Sequence, residues 1–217
     1  MDSILQEIYD GILEGRNAQV VDSLQAALSQ GQSPENILNL AMIPAMRQAG
    51  QLFEEGEYFL PEMLLSARTM QGGMTVLKPY LINQKVSPAG KVAIGTVKGD
   101  QHDIGKNLVA ILLEGAGFEV VDLGVNVDTE TFVQTVREQS VDMLALSALL
   151  TTTMPSMKTT IDALIQAGLR DRVKILVGGA PITESYAHQI GADGYAPDAS
   201  RAATLALSLM KASNSYA

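Results

Sequence analysis

The residue types able to bind a metal or move a proton near neutral pH are scarce in this sequence, which has two histidines and no cysteine. One histidine, His102, sits in the stretch Gly99-Asp100-Gln101-His102-Asp103-Ile104-Gly105-Lys106-Asn107. A carboxylate that accepts from one ring nitrogen fixes the imidazole tautomer and raises the basicity of the other nitrogen. Asp-x-His in a loop therefore suits a metal ligand with an orienting partner. Gly105 lets a following helix begin close to a sheet or to a bound ligand. The same residues also read as a surface histidine in a capped loop, with Asp103 as the helix N-cap. The loop alone weights these two readings evenly. Phosphate binding is disfavoured, because the glycines do not follow Gly-x-Gly-x-x-Gly and two carboxylates would repel the anion. A zinc centre lacks its other ligands, with no cysteine and the second histidine, His188, far along the chain. His188 lies in a late helical segment near Tyr186 and reads as structural or solvent-exposed.

The elements that must position this loop fall into two halves. Residues 1–83 show helical spacing throughout. Ile4, Leu5, Ile8, Ile12 and Leu13 form one stripe, ended by Gly15; Val20, Val21, Leu24, Ala27 and Leu28 form a second, ended by Gly31. Ser33-Pro34-Glu35 predicts an N-cap followed by proline at the first helical position. That third helix runs to about Phe53, with Pro44 expected to kink it. A turn over 56–60 leads to a fourth helix opened by Pro61. Four helices with short loops predict a small antiparallel bundle. Residues 84–90, with Ser87-Pro88-Ala89-Gly90, read as a linker and candidate hinge.

From 91 to 217 the pattern changes. Short apolar runs at 92–97, 118–123, 143–147 and 175–177, and a last one at 194–195, alternate with helical segments. This predicts a five-stranded parallel sheet flanked by helices, a Rossmann-like (flavodoxin-like) α/β fold after the α cap. In such sheets ligands bind beyond the carboxyl ends of the strands. The His102 loop follows the first predicted strand.

Composition narrows the function classes. With 47% hydrophobic and 18% charged residues, a packed core is readily supplied. The net charge of −9 disfavours a nucleic-acid partner, whose phosphates need a basic face. No run reaches the roughly 18 apolar residues of a membrane span, and the opening residues lack a signal-peptide pattern. A cytoplasmic protein with no membrane partner is the expectation.

Asp100-x-His102-x-x-Gly105 resembles the signature of cobalamin-binding domains. Ser147-Ala148-Leu149 follows the third predicted strand and Gly178-Gly179 the fourth, as in that family's pattern. The helical half is similar to the family's cap domain through Gly50-Gln51-Leu52-Phe53-Glu54-Glu55-Gly56 and Tyr58-Phe59-Leu60-Pro61-Glu62-Met63. The resemblance spans nearly the whole chain. It is strongest to the stand-alone corrinoid proteins of methyltransferase systems, and similar modules occur in cobalamin-dependent methionine synthase.

The resemblance implies a cobalamin or related corrinoid held base-off and His-on, with His102 as the lower ligand to cobalt. The displaced base and its tail would enter a slot in the sheet. Gly178 and Gly179 would let the tail pass, Ser147 would offer a hydroxyl, Leu149 would be a wall, and Thr151 would bind a polar part of the tail. Thr153 would hydrogen-bond Asp100, extending the relay. Gln101, Asp103, Ile104 and Gly105 complete the cofactor-binding loop, and Gln101 fills a position where an apolar residue would surprise less. Phe53 and Leu60 would pack over the corrin's methyl face; without the resemblance they read as bundle core. The implied activity is methyl carriage between a substrate-specific methyltransferase and a second one serving tetrahydrofolate or a thiol, with a reductive activator for the oxidised cofactor. The chain would then be a carrier subunit with no catalytic residue of its own. The alternatives are a subunit of an adenosylcobalamin-dependent mutase, which would not need the helical cap, and a cobalamin-sensing module, which would need a DNA-binding domain.

Overall fold

The structure is a computed structural model, and it describes residues 3–84 and 87–214. Contacts divide the chain into two compact units. One comprises Met1–Ser87 with Gly115–Gly117; the other comprises Pro88–Glu114 and Phe118–Ala217. Residues 85 and 86 of the expected linker, and both chain ends of the expected domains, lie outside the described residues.

The first unit is helical. α1 (Ser3–Leu13) and α2 (Asn17–Ser29) bury the predicted stripes, including Ile8, Ile12, Val20 and Leu24. The predicted third helix is a continuous rod of three parts: α3 (Pro34–Ile37), a π turn (Leu38–Met42) and α4 (Ile43–Glu54). Pro44 explains the π turn. It has no N–H to donate and its ring crowds the carbonyl four residues back. The Ile43 N–H reaches back five residues to the Leu38 carbonyl, which widens the coil just before the proline. Ser33 stands at the N-cap, but its side chain makes no capping hydrogen bond. α5 (Leu60–Asn83) starts where Glu62 accepts from the Phe59 N–H at 3.0 Å. Tyr58 and Ser66 both donate to the Leu13 carbonyl, at 3.1 and 3.0 Å, and so satisfy the open end of α1. Gly73 lets α5 approach Met42 and Leu24, whose side chains occupy the space of a Cβ.

The second unit alternates strand and helix. The order is β1 (Lys91–Thr96), α6 (Ile104–Gly115), β2 (Glu119–Asp122), α7 (Thr129–Glu138), β3 (Met143–Ser147), α8 (Pro155–Gln166), β4 (Lys174–Gly178), α9 (Glu184–Ile190), β5 (Gly194–Tyr195) and α10 (Ala199–Asn214). The sheet is parallel in the order β2-β1-β3-β4-β5. Ala93, Leu144, Leu146, Ile175 and Val177 pack with Phe132, Val136, Met157 and Ile161 of α7 and α8. Val92, Ile94, Met143, Ala145 and Leu176, which alternate with them, are buried as well. Both faces are therefore covered, as a parallel sheet requires. Gly95 has no side chain because the Phe132 ring sits where its Cβ would be. Among the described residues no helix is long and apolar enough to cross a membrane.

The strand order reverses between β1 and β3, so the crevice at their carboxyl ends is the topological switch point. Strand register then aligns two of the singled-out positions with Thr96. Thr96 pairs with Ser147, and Ser147 pairs with Gly178. These residues form one row across the carboxyl edge of three neighbouring strands.

Candidate functional site

Asp100 follows β1 and is fully buried. Its Oδ1 accepts from the His102 N–H at 3.1 Å and lies 2.7 Å from His102 Nδ1. Its Oδ2 accepts from the Leu149 N–H at 2.8 Å, the Leu150 N–H at 3.3 Å and the Thr153 hydroxyl at 2.7 Å. One carboxylate thus ties the loop after β1 to the loop after β3. Burial by itself would raise the Asp100 pKa. The hydrogen bonds from Thr153, Leu149 and His102 outweigh it and hold the carboxyl well below the usual carboxylate range.

That ionisation decides the imidazole tautomer. A carboxylate only accepts, so His102 Nδ1 carries the proton and donates to Asp100. The Nε2 lone pair of the neutral ring is left for another partner. The His102 side chain is 50% exposed while Asp100 is 0% exposed, so the ring stands at the surface on a buried support. Among the described residues no three His, Cys, Asp or Glu side chains converge as a metal cluster. What the loop offers a metal is a single oriented imidazole.

The other predicted positions separate into those joined to this cluster and those near it only in sequence. Thr153 is buried and joined to Asp100; its hydroxyl also lies 2.9 Å from the Leu150 carbonyl. Leu149 contributes its N–H, while its side chain is 41% exposed and is not core. Ile104 is the most exposed large apolar side chain of the loop, at 72%. Gln101, Gly105 and Thr151 are exposed. Asp103 does not reach the imidazole: its carboxylate accepts from Asn107 Nδ2 at 3.2 Å and its carbonyl from the Asn107 N–H at 2.7 Å, as the residue preceding α6. Ser147 is half-buried at the end of β3, and its carbonyl accepts from the Val97 N–H. Gly178 ends β4 and its carbonyl accepts from the Ala148 N–H at 3.2 Å. Gly179 has φ 128°, and a Cβ there would lie 1.9 Å from the Ala148 carbonyl oxygen. Phe53, half-buried in α4, and Leu60, exposed at the start of α5, belong to the helical unit, and neither lies in its core. His188 is exposed on α9.

Three further residues hold the loop and were not singled out by the sequence. Thr96, fully buried, donates from its hydroxyl to the His102 carbonyl at 2.8 Å. Asn126, in the loop after β2, hydrogen-bonds both Gly99 and Asp100. The Lys106 side chain is 1% exposed and its ammonium donates to both Asp122 oxygens, at 2.7 and 2.6 Å, and to Asn107 Oδ1. The available signal was a polar residue closing each apolar run, Thr96 after Ile94-Gly95 and Asp122 after Val120-Val121.

The lysine pair makes an asymmetric prediction. Asp122→Ala leaves an ammonium buried without its counter-ion and is expected to cost about 3 kcal/mol. Lys106→Met removes the buried charge and leaves Asp122, 46% exposed, to solvent; about 1 kcal/mol is expected. Urea unfolding of the two variants measures the difference, and equal losses would contradict the buried-charge account.

Comparison with known proteins matches the residues to a family. Models of the B12 binding domain match residues 90–204 and, for a second B12 binding domain, residues 4–78. The chain is 39% identical over 210 residues to dimethylamine corrinoid protein 2 of Methanosarcina acetivorans, covering 96% of this chain and 97% of that protein. It is 40% identical over 200 residues to trimethylamine corrinoid protein 1 of the same organism, covering 91% and 93%. Among solved structures, a chain of the methanol:cobalamin methyltransferase complex of Methanosarcina barkeri superposes with a TM-score of 0.85 at 32% identity, over 97% of this chain and 80% of that one. With its oriented imidazole at the switch point of a parallel sheet, its helical unit and these relatives, the chain belongs to the B12-binding corrinoid proteins of methyltransferase systems.

Proposed function

We propose that this chain binds its corrinoid base-off and His-on, with His102 Nε2 as the lower ligand to cobalt, and carries a methyl group between partner methyltransferases. The observation that carries the reading is the Nδ1–Asp100 contact of 2.7 Å, which in the neutral ring turns the Nε2 lone pair outward on a half-exposed imidazole. The residues fit the cofactor in two further ways. Ile104, Leu149 and Leu150 expose apolar side chains on the loops that Asp100 ties together, suited to the underside of a macrocycle. Gly178 and Gly179 leave the end of β4 free of side chains, where a displaced base and tail can lie against the backbone.

When bound, the corrinoid supplies a cobalt centre that accepts and gives up the methyl group. The chain's own residues hold and tune that centre. Asp100 keeps the imidazole in one tautomer and one orientation, and Thr153 keeps Asp100 ionised and fixed. His102 would hold the metal through Nε2, with Asp100 accepting from its Nδ1 and fixing its direction. Ser147 and Thr151 serve polar atoms of the tail, Leu149 walls it, and Gln101, Asp103, Ile104 and Gly105 shape the loop beneath the ring. Phe53 and Leu60 supply the apolar surface of the helical unit. In this reading residues 1–83 are the cap, 84–90 the linker and 91–217 the corrinoid domain.

One partner is a substrate-specific methyltransferase, as for the relative solved within a methanol:cobalamin methyltransferase complex. A second passes the methyl group to tetrahydrofolate or a thiol, a reductive activator restores the oxidised cofactor, and the setting is cytoplasmic. The choice of methyl donor belongs to the partner; relatives of almost equal identity carry the names of dimethylamine and trimethylamine, which favours neither donor. The match of residues 4–78 to a second B12 binding domain counts against the mutase alternative, which needs no helical unit, and corrinoid proteins matched over nearly their whole length count against the sensor.

The test is spectroscopic. Hydroxocobalamin is loaded, reduced to the cobalt(II) state and examined by electron paramagnetic resonance, with the protein grown in 15N-histidine or 14N-histidine. Splitting that follows the histidine isotope is expected in the wild type and absent in His102→Ala, whose corrinoid affinity should fall at least about tenfold. Splitting that ignores the isotope would show the cofactor's own base still on cobalt and reject the reading.

A further inference from the structure

The loop that carries His102 is gripped from two sides. Asp100 ties it to the loop after β3. On the opposite side Asn126, in the loop between β2 and α7, makes two hydrogen bonds to it, and Lys98 pairs with Asp128 of that same loop. The Gly99 N–H donates to Asn126 Oδ1 at 2.8 Å, and the Asn126 N–H donates to the Asp100 carbonyl at 2.9 Å. The two bonds run in opposite directions and bracket the Gly99–Asp100 peptide. A parallel bridge between Val97 and Val127 joins the two loops beside this contact.

The backbone bends to make this contact. Asn126 has φ 51° and Gly99 has φ 87°. The left-handed region disfavours most residues, and asparagine enters it more readily than others with a side chain. Here the same asparagine also supplies the acceptor. Both features are used at one position, where a glycine would give only the conformation and most other residues neither.

We infer that Asn126 is a positioning residue for the lower-ligand loop: it sets the Gly99–Asp100 peptide and, through Asp100, the direction of the His102 ring. This rests on the reading of His102 as the cobalt ligand. Asn126 acts through the backbone and makes no hydrogen bond to the imidazole. Gly99 is an exposed residue, so without Asn126 Oδ1 its N–H can turn to water and is not stranded. The expected consequence is a loosened ligand geometry in a folded chain. A net hydrogen bond of ordinary strength corresponds to about a fivefold shift in the His-on to His-off ratio.

Two variants separate the side chain from the backbone conformation. Asn126→Gly keeps the left-handed turn accessible and removes the acceptor, whereas Asn126→Asp keeps both. Each is loaded with hydroxocobalamin, reduced to cobalt(II), and read by the histidine-nitrogen splitting. In the unloaded protein, amide exchange at Gly99 is followed by NMR. Asn126→Gly should shift the ratio about fivefold toward His-off and expose the Gly99 amide, and Asn126→Asp should restore both. Wild-type behaviour in Asn126→Gly, or equal loss in Asn126→Asp, overturns the inference. So does a wild-type Gly99 amide that exchanges as fast as an open loop, a result that needs no variant. A wild type without histidine splitting would instead reject the His102 reading itself, and the inference with it.

Discussion

Asp100→Ala is expected to lower the stability of the unloaded chain by about 3 kcal/mol, and Asp100→Asn by about 2 kcal/mol. The alanine variant deprives the Leu149, Leu150 and His102 N–H groups of their acceptor. Water entering the vacated space recovers part of the loss, and the Thr153 hydroxyl can turn fully to the Leu150 carbonyl, already 2.9 Å away. The asparagine variant keeps the shape but turns one acceptor oxygen into an NH2 donor. On either side that group meets donors: Leu149, Leu150 and Thr153 on one, His102 on the other. If it faces His102 Nδ1, that nitrogen must accept, and the ring proton moves to Nε2. His102 would then still be present with its outward lone pair gone.

The expected signature is therefore specific: Asp100→Asn binds corrinoid more weakly and loses the histidine-nitrogen splitting although His102 is intact. Urea unfolding and the cobalt(II) spectrum measure the two effects. Wild-type stability together with a wild-type spectrum would remove Asp100 from its role. The pH dependence has a definite sign. A carboxyl held below its unfolded-state pKa contributes stability that is complete above the usual carboxylate range and lost as the pH falls below it. The wild type should lose stability on acidification more steeply than Asp100→Asn, which has no such group to titrate.

Gly179→Ala should cost more, at least about 4 kcal/mol, or prevent folding. The added Cβ would sit 1.9 Å from the Ala148 carbonyl oxygen and 2.8 Å from its carbonyl carbon. Both are main-chain atoms, so no side-chain rotation relieves the overlap. The φ of 128° adds a conformation that alanine rarely adopts. Moving the Ala148 segment away would disturb the neighbouring Leu149 N–H and its bond to Asp100. Gly178→Ala is the control. Its Cβ would meet only the Ala196 carbonyl oxygen at 3.5 Å, an ordinary contact. It should fold normally and bind corrinoid less tightly, because the methyl group occupies the strand end assigned to the tail. Thermal unfolding and corrinoid titration of the pair make the check. A Gly179→Ala protein as stable as Gly178→Ala would contradict the close approach.

Much of this is legible in the sequence. Apolar runs a few residues long, alternating with helical spacing, identified all five strands, because burial pattern and turn chemistry are local properties. Pro44 marked the irregular point in the 34–54 rod, because a missing N–H is also local. Other features could not be read this way. Ser33 looked like a side-chain cap and makes no such bond. Asp103 stands beside His102 in sequence and turns to Asn107.

By itself the sequence determined the element types and the position of one histidine behind the first strand. Tertiary structure decided which groups meet. Strand order and register put Thr96, Ser147 and Gly178 in one row. They also bring Leu149, Leu150 and Thr153, some fifty residues on, to the Asp100 carboxylate. The physical reason is that a buried carboxylate is kept ionised only by the donors around it, and most of those donors come from the loop after a neighbouring strand. The Asp-x-His spacing could propose a ligand. The hydrogen bonds from the β3 loop make Asp100 an acceptor, and so set which nitrogen of a neutral His102 ring faces outward.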